Sequence, residues 1–200
     1  MRFVIATQPA TEPVTSAELV SQSRIDSVAA TAEATYITSL IAAARVRAEN
    51  LCGPIITQAW DMYLDEWPYG DYITIGKPRV SAITSVKYTI LDASAATTLS
   101  STTYLTDFVS NYARLRLKWN QAWPTDVLEV INPIAIRFSA GWANAGAVPA
   151  ALKQGILFLA AHWYANREAV SDTQLVDVPH TFTDILVDYI DHGYHGDNDE

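Results

Sequence analysis

A chain of 200 residues and 22.0 kDa that is 50% hydrophobic can build one ordinary domain with an appendage, which excludes wholesale disorder. Eight Gly and nine Pro are too few for a fibrous or low-complexity chain, and the single Cys52 excludes an intrachain disulfide or a Cys-rich zinc site. The net charge of -9 is uneven: residues 171–200 hold eight of the 22 acidic residues and none of the 13 bases, which leaves residues 1–170 at -1.

Residues 1–14 are punctuated by Pro9 and Pro13 and read as an extended N-terminal arm. The apolar patch after Met1 is too short for a signal peptide, so an intracellular product is expected. Thr15-Ser16-Ala17-Glu18 has the capping-box pattern and predicts a short helix over 16–23. Ile37, Leu40, Ile41, Ala44, Ala48 and Leu51 recur at three and four residues, and Gly53-Pro54 is a stop signal, so a second helix is expected over 34–51. Cys52, at the negative end of that helix, is expected to be buried as a small apolar residue, not ionised.

Between Ile55 and Phe138 the period changes to two. Trp60, Met62 and Leu64 alternate with Asp61, Tyr63 and Asp65; residues 72–75 follow a turn; Val86, Tyr88 and Ile90 alternate with Ser85, Lys87 and Thr89. Leu115, Leu117 and Trp119 alternate with Arg114, Arg116 and Lys118, and residues 127–131 and 134–138 complete five or six short strands. An antiparallel sheet or small barrel follows. A solvated strand face accounts for Asp61 and Asp65 better than an acid/base pair. Pro149 opens a third helix, over 149–168, that is apolar nearly all round and includes the longest purely apolar run, 156–161. That run is far short of the roughly 20 residues a membrane helix needs. A Ser-, Asp- and Thr-containing linker over 171–179 leads to a short amphipathic helix carrying Phe182, Ile185, Leu186, Tyr189 and Ile190 on the acidic tail. The expected class is α+β: helices flanking a small antiparallel sheet or barrel, with a C-terminal tail.

Reactive chemistry is sparse. The chain has no phosphate-cradling Gly loop, no Gly-x-Ser-x-Gly elbow and no His-Glu-x-x-His. His192 and His195 sit beside Gly193 and Gly196, which suits a frayed terminus more than a metal site, and His162 reads as a core or interface histidine. No catalytic residue, metal or cofactor is therefore assigned, and no enzymatic turnover is expected. Arg114, Arg116 and Lys118 form a basic stripe that is either a nucleic-acid contact or a solvent face or rim meeting a neighbour's carboxylates. Six Trp and ten Tyr suit an obligate partner surface.

The order of segments resembles the phage head-tail connector (adaptor) family. Glu12-Pro13-Val14-Thr15-Ser16-Ala17-Glu18-Leu19 looks like the family's opening. The stretch Ile37-Thr38-Ser39-Leu40-Ile41-Ala42-Ala43-Ala44-Arg45, then Glu49-Asn50-Leu51-Cys52-Gly53, is similar to its first long helix. Ile55-Ile56-Thr57-Gln58-Ala59-Trp60 resembles the first strand. Phe138-Ser139-Ala140-Gly141-Trp142, Val148-Pro149-Ala150-Ala151-Leu152-Lys153-Gln154 and His162-Trp163-Tyr164-Ala165-Asn166-Arg167-Glu168 resemble the last strand and the helix after it. Val178-Pro179-His180, leading to Leu186 and Tyr189, resembles the closing segment. The likeness spans roughly residues 12–190 and departs at the ending, where an acidic run stands in place of a basic residue after the Tyr.

The resemblance implies an N-terminal arm over 1–14, a connector domain over 15–170 and an acidic docking tail over 171–200. It implies a structural subunit, made in the host cytoplasm and carried in the neck of a virion or phage-like particle, with a gene transfer agent as an equally open origin. Such a subunit forms a ring, typically of twelve, that binds the portal protein on one side and a stopper or tail-completion protein on the other, with DNA passing unread through the lumen and no membrane contact. Phe182, Ile185, Leu186, Tyr189 and Ile190 are then the expected portal contacts, and Arg114, Arg116 and Lys118 the expected inter-subunit or lumenal charges. The alternative is a small nucleic-acid-binding or ligand-binding β-rich domain, marked by salt-sensitive DNA affinity or by a pocket of convergent polar groups.

Overall fold

The computed structural model describes residues 1–167 and 180–193, with the backbone alone at His180 and Thr181. The linker over 171–179 and the last seven residues, His195 and three of the tail's acids among them, lie outside the described residues. The chain divides into two compact units: a helical unit of Ala10–Ile56 and Trp142–Asp191, and a β unit of Met1–Pro9, Thr57–Gly141 and the residues from His192. The class is α+β, with two open antiparallel sheets and no closed barrel.

The helical unit opens with α1 (Ser16–Ser23), where the capping box forms as expected. The Thr15 side chain accepts from the Glu18 N–H at 3.2 Å, and Glu18 accepts from the Thr15 N–H at 2.6 Å. These bonds to Thr15 hold the Glu18 carboxyl below the ordinary carboxylate range. Arg24, at φ 52°, ends the helix in a left-handed cap. A helix absent from the sequence reading, α2 (Ser27–Ala32), is nucleated by Asp26, whose carboxylate takes the N–H groups of Val28 and Ala29 at 3.0 Å each. Next come α3 (Ala34–Cys52) and, beyond the β unit, α4 (Ala150–Ala165), directly after Pro149. Their apolar stripes meet in one core with Val14, Leu19, Ile55 and Ile56, and Cys52 is fully buried there. A buried ion triad supports it: Arg45 Nε donates to Glu12 at 2.7 Å and Nη1 to Glu49 at 2.6 Å, while Glu49 also accepts from the Ile55 N–H. Arg45 thus ties the incoming segment and the exit from α3 to one point.

In the β unit, β1 (Arg2–Thr7), β2 (Gln58–Leu64), β8 (Ile134–Ala140), β4 (Val80–Tyr88) and the two-residue β5 (Thr97–Thr98) form a five-stranded sheet in the order β1-β2-β8-β4-β5. Strands β3 (Tyr72–Pro78), β7 (Tyr112–Leu117) and β6 (Tyr104–Asp107) form a second sheet in the order β3-β7-β6. Arg79, at φ 58°, carries the chain from one sheet to the other, and its carbonyl accepts from the Gly141 N–H. Period-two alternation sends Met62, Val86, Ile134, Ile136 and Phe138 from one sheet, and Ile73, Ile75, Ala113 and Leu115 from the other, into one core.

Three local expectations change. Residues 2–7, read as part of an arm, are an edge strand paired with β2, because Phe3 packs edge-on against Phe138 at 6.3 Å. Residues 127–131 contribute one isolated bridge, Leu128 to Ile90, in place of a strand. Asp61 is not on a solvated face: it is 8% exposed and held by Arg137 through two bonds of 2.8 Å, while Asp65 lies past the end of β2 and accepts from the Asn132 N–H.

Candidate functional surfaces

The closing segment is the first candidate. Helix α5 (His180–Leu186) and the 3-10 turn Val187–Tyr189 pack on the helical unit. Gly155 of α4 makes this approach possible, since a Cβ there would stand 3.1 Å from a Leu186 methyl. Phe182 and Leu186 are buried at 2% and 0%, Ile185, Tyr189 and Ile190 are half-buried, and the Asp191 N–H donates to the Leu51 carbonyl at 2.8 Å. The five expected docking residues therefore do not form one free stripe. Phe182 and Leu186 are occupied by the chain's own core, and the outward surface is Thr183, Asp184, Val187 and Asp188. An amphipathic stripe read from sequence names the residues that will be buried without naming what buries them.

Ahead of that segment, the end of α4 is locked. The Tyr164 hydroxyl donates to Glu33 at 2.7 Å, Arg167 Nη1 donates to the other Glu33 oxygen at 2.8 Å, and the guanidinium lies over the Tyr164 and Tyr36 rings at 4.7 and 5.0 Å. Arg167, and next the Tyr164 hydroxyl, hold the Glu33 carboxyl below its ordinary range; the hydrogen bond to Glu33 raises the Tyr164 phenol.

The basic stripe is the second candidate. In β7, Ala113, Leu115 and Leu117 point into the core while Arg114 and Arg116 point out; Lys118 follows the strand's end and is half-buried. Neither arginine presents a bare charge. Arg114 donates to Asp107 on the neighbouring β6 at 2.8 Å, and Arg116 Nε donates to Asp71 at 2.9 Å. Asp107 also accepts from the Val109 N–H and the Ser110 hydroxyl, and these bonds, Arg114's foremost, lower its carboxyl to about 2. With Tyr72, Leu105 and Thr106 these four charged groups line an open groove of about 510 Å³. The sequence reading missed Asp71 and Asp107, because cross-strand register is what brings them beside the arginines.

Much of the aromatic content is internal. Trp67 and Trp123 stack at 4.8 Å, Tyr88 meets Trp67 edge-on at 5.8 Å, and the Trp123 indole donates to the Gly70 carbonyl. The Lys77 ammonium lies 4.9 Å from the Trp60 ring centroid and 5.4 Å from that of Phe3. Tyr69 and Trp119, by contrast, are almost wholly exposed. Among the described residues no group of three or more His, Cys, Asp or Glu is placed to hold a metal ion, and no helix is long and apolar enough to cross a membrane.

No protein-family model and no curated protein sequence matches the chain. Solved structures do match it, over 95% of this chain and 95% of each partner. They are a chain of the neck of an empty gene transfer agent particle computed with C6 symmetry (20% identity, TM-score 0.71), a chain of the virion of the native particle (18%, 0.73) and a chain of the neck of the native particle computed with C12 symmetry (18%, 0.62). At these identities the likeness is one of fold, and it includes both units.

Proposed function

We propose that the chain is a structural subunit of the neck of a phage-like particle, an adaptor that assembles as a ring beneath the portal and joins it to a stopper or tail-completion protein. The supporting observation is the end-to-end match to neck and virion chains of gene transfer agent particles, helical and β units together. The site chemistry agrees with a role that needs no turnover: the charged groups on the outer face of β7 are matched pairs, Arg114 with Asp107 and Arg116 with Asp71. DNA in the lumen would meet neutralised arginines on this face, which suits passage better than retention. Arg114, Arg116 and Lys118 act in this reading as inter-subunit or lumenal charges.

Docking to the portal belongs to the acidic closing segment. Phe182 and Leu186 anchor it to the helical unit, Ile185 lies beside Gly155 of α4, and Val187, 57% exposed, with the free edges of the half-buried Tyr189 and Ile190 offers the contact surface. The test is mass by light scattering, first of the chain alone and then mixed with the portal protein of its particle. A ring on the portal is expected, and a persistent 22.0 kDa monomer that ignores the portal would overturn the reading. Tyr189→Asp with Ile190→Asp should weaken portal binding while leaving the far-ultraviolet spectrum unchanged; unaltered binding would remove the segment from the contact.

The groove beside Arg114 and Arg116 favours one second reading, a ligand-binding β domain. It requires saturable binding of a small polar ligand that Arg114→Ala abolishes.

A further inference from the structure

A second surface of the β unit is shaped for a partner. Residues 126–133 run beside residues 89–92 as a short hydrogen-bonded ribbon: the Leu91 N–H donates to the Val127 carbonyl at 2.8 Å, the Glu129 N–H to Thr89, the Thr89 N–H to Pro133, and the Asp92 N–H to the Glu129 carboxylate. Asn132, at φ 50°, turns the ribbon back, and its N–H donates to Asp65. Leu128 points inward against the β core. Val127, Val130 and Ile131 point outward and are 68%, 80% and 77% exposed, with Leu91 beside them at 44%. Singly exposed aliphatics are ordinary; three within five residues, on a backbone pinned at both sides, form a preorganised apolar prong. Its rim is acidic: Asp126 and Glu129 are the only charged residues from Trp119 to Ile136.

The helical unit carries a surface of opposite character. The outward positions of α3 include Thr35, Ser39, Ala43 and Val46, all exposed, with Val46 at 44%. A solvent-facing helix surface ordinarily carries charges. Here residues 34–48 contain only two, Arg45, which is buried in its ion triad, and Arg47, which is exposed. The face is therefore neutral and shallow, with a cation at one end, and it complements an aliphatic prong with an acidic rim.

We infer that the prong of one copy, Val127, Val130 and Ile131, seats on the α3 face of the next copy around Ala43 and Val46, with Asp126 opposite Arg47. The inference rests on the ring reading, which makes a second copy the occupant. A prong and a socket that differ within one chain generate head-to-tail contacts, the kind a ring requires when the rotation between copies closes, whereas an isologous patch stops at a dimer.

The test uses the full chain with and without the portal protein, with mass by light scattering as the readout. Val130→Glu and Val46→Glu alter exposed side chains, so each variant is expected to melt like the parent and yet to need at least ten times the concentration to assemble. A mixture of the two variants keeps one intact prong and one intact socket, and should form discrete dimers. Arg47→Glu should weaken assembly, and Asp126→Arg added to it should restore part of the loss. Normal rings from folded Val130→Glu, or a mixture that remains monomeric under conditions where the parent assembles, would overturn the interface while leaving the adaptor reading in place. If the parent chain assembles neither alone nor on the portal, the adaptor reading fails and the interface falls with it.

Discussion

One charge cluster from each unit shows how burial changes what an ion pair does. Both join arginine to carboxylate, but in the helical unit Arg45 is 5% exposed at its side chain and is held by two glutamates, whereas in the β unit Arg114 and Arg116 are 54% and 67% exposed with one aspartate each. A buried guanidinium must be fully paired, because an unpaired charge in the interior costs several kcal/mol; an exposed pair is close to neutral for stability and stays available to a partner. Apolar side chains show the same contrast at particular positions: Phe182 and Leu186 of the closing segment turn inward, while Val127, Val130 and Ile131 of the β unit's ribbon remain outside.

That contrast can be broken by substitution. Phe182→Ala should lower stability the most, by about 3–5 kcal/mol, because a fully buried aromatic is lost from the helical core. Urea unfolding checks it, and a loss under about 1 kcal/mol would return the residue to the free docking tail. Arg45→Ala should cost about 3 kcal/mol by leaving Glu12 and Glu49 without their cation. Gly155→Val should cost about 1–3 kcal/mol and displace α5, since its Cβ alone meets Leu186 at 3.1 Å; faster amide exchange confined to 182–190 is the signature. Arg116→Ala should change stability by less than about 1 kcal/mol. A loss as large as that of Arg45→Ala would erase the distinction between the buried cluster and the exposed pairs.

The smallest effect sharpens the comparison through pH. The Asp107 carboxyl is lowered from 3.8 to about 2 in the folded chain, so the folded state favours its ionised form. Its contribution is present above pH 3.8 and is lost as the pH falls toward 2. A carbon-13 titration should show that midpoint, and Arg114→Ala should move it back toward 3.8.

Local chemistry was legible because its causes lie within a few residues. The capping box at Thr15, the helical spacing from Ile37 to Leu51, the stop at Gly53 and the alternation in β7 all act through neighbours in sequence. α2 was missed because its six residues show no apolar periodicity, and only the Asp26 cap marks its start. The 127–131 ribbon misled for the opposite reason: its aliphatics look like a strand, yet its hydrogen bonds to residues 89–92 amount to one isolated bridge and extend no ladder. In the candidate surfaces, Phe182, Leu186, Arg114 and Arg116 stand out by type and spacing, but the burial of the first two and the aspartate partners of the last two do not.

By itself, then, the sequence determined the α+β class, three helix positions, and a neutral body with an acidic ending. Only the tertiary structure decided that β1 completes a sheet, that Asp107 and Asp71 neutralise the basic strand, that Phe182 and Leu186 are core, and that Val127, Val130 and Ile131 are not. The physical reason is range: capping and periodicity are set within a turn or two of chain, whereas burial and charge pairing depend on residues brought together across long separations, 45 positions for Arg116 and Asp71 and 76 for Arg137 and Asp61.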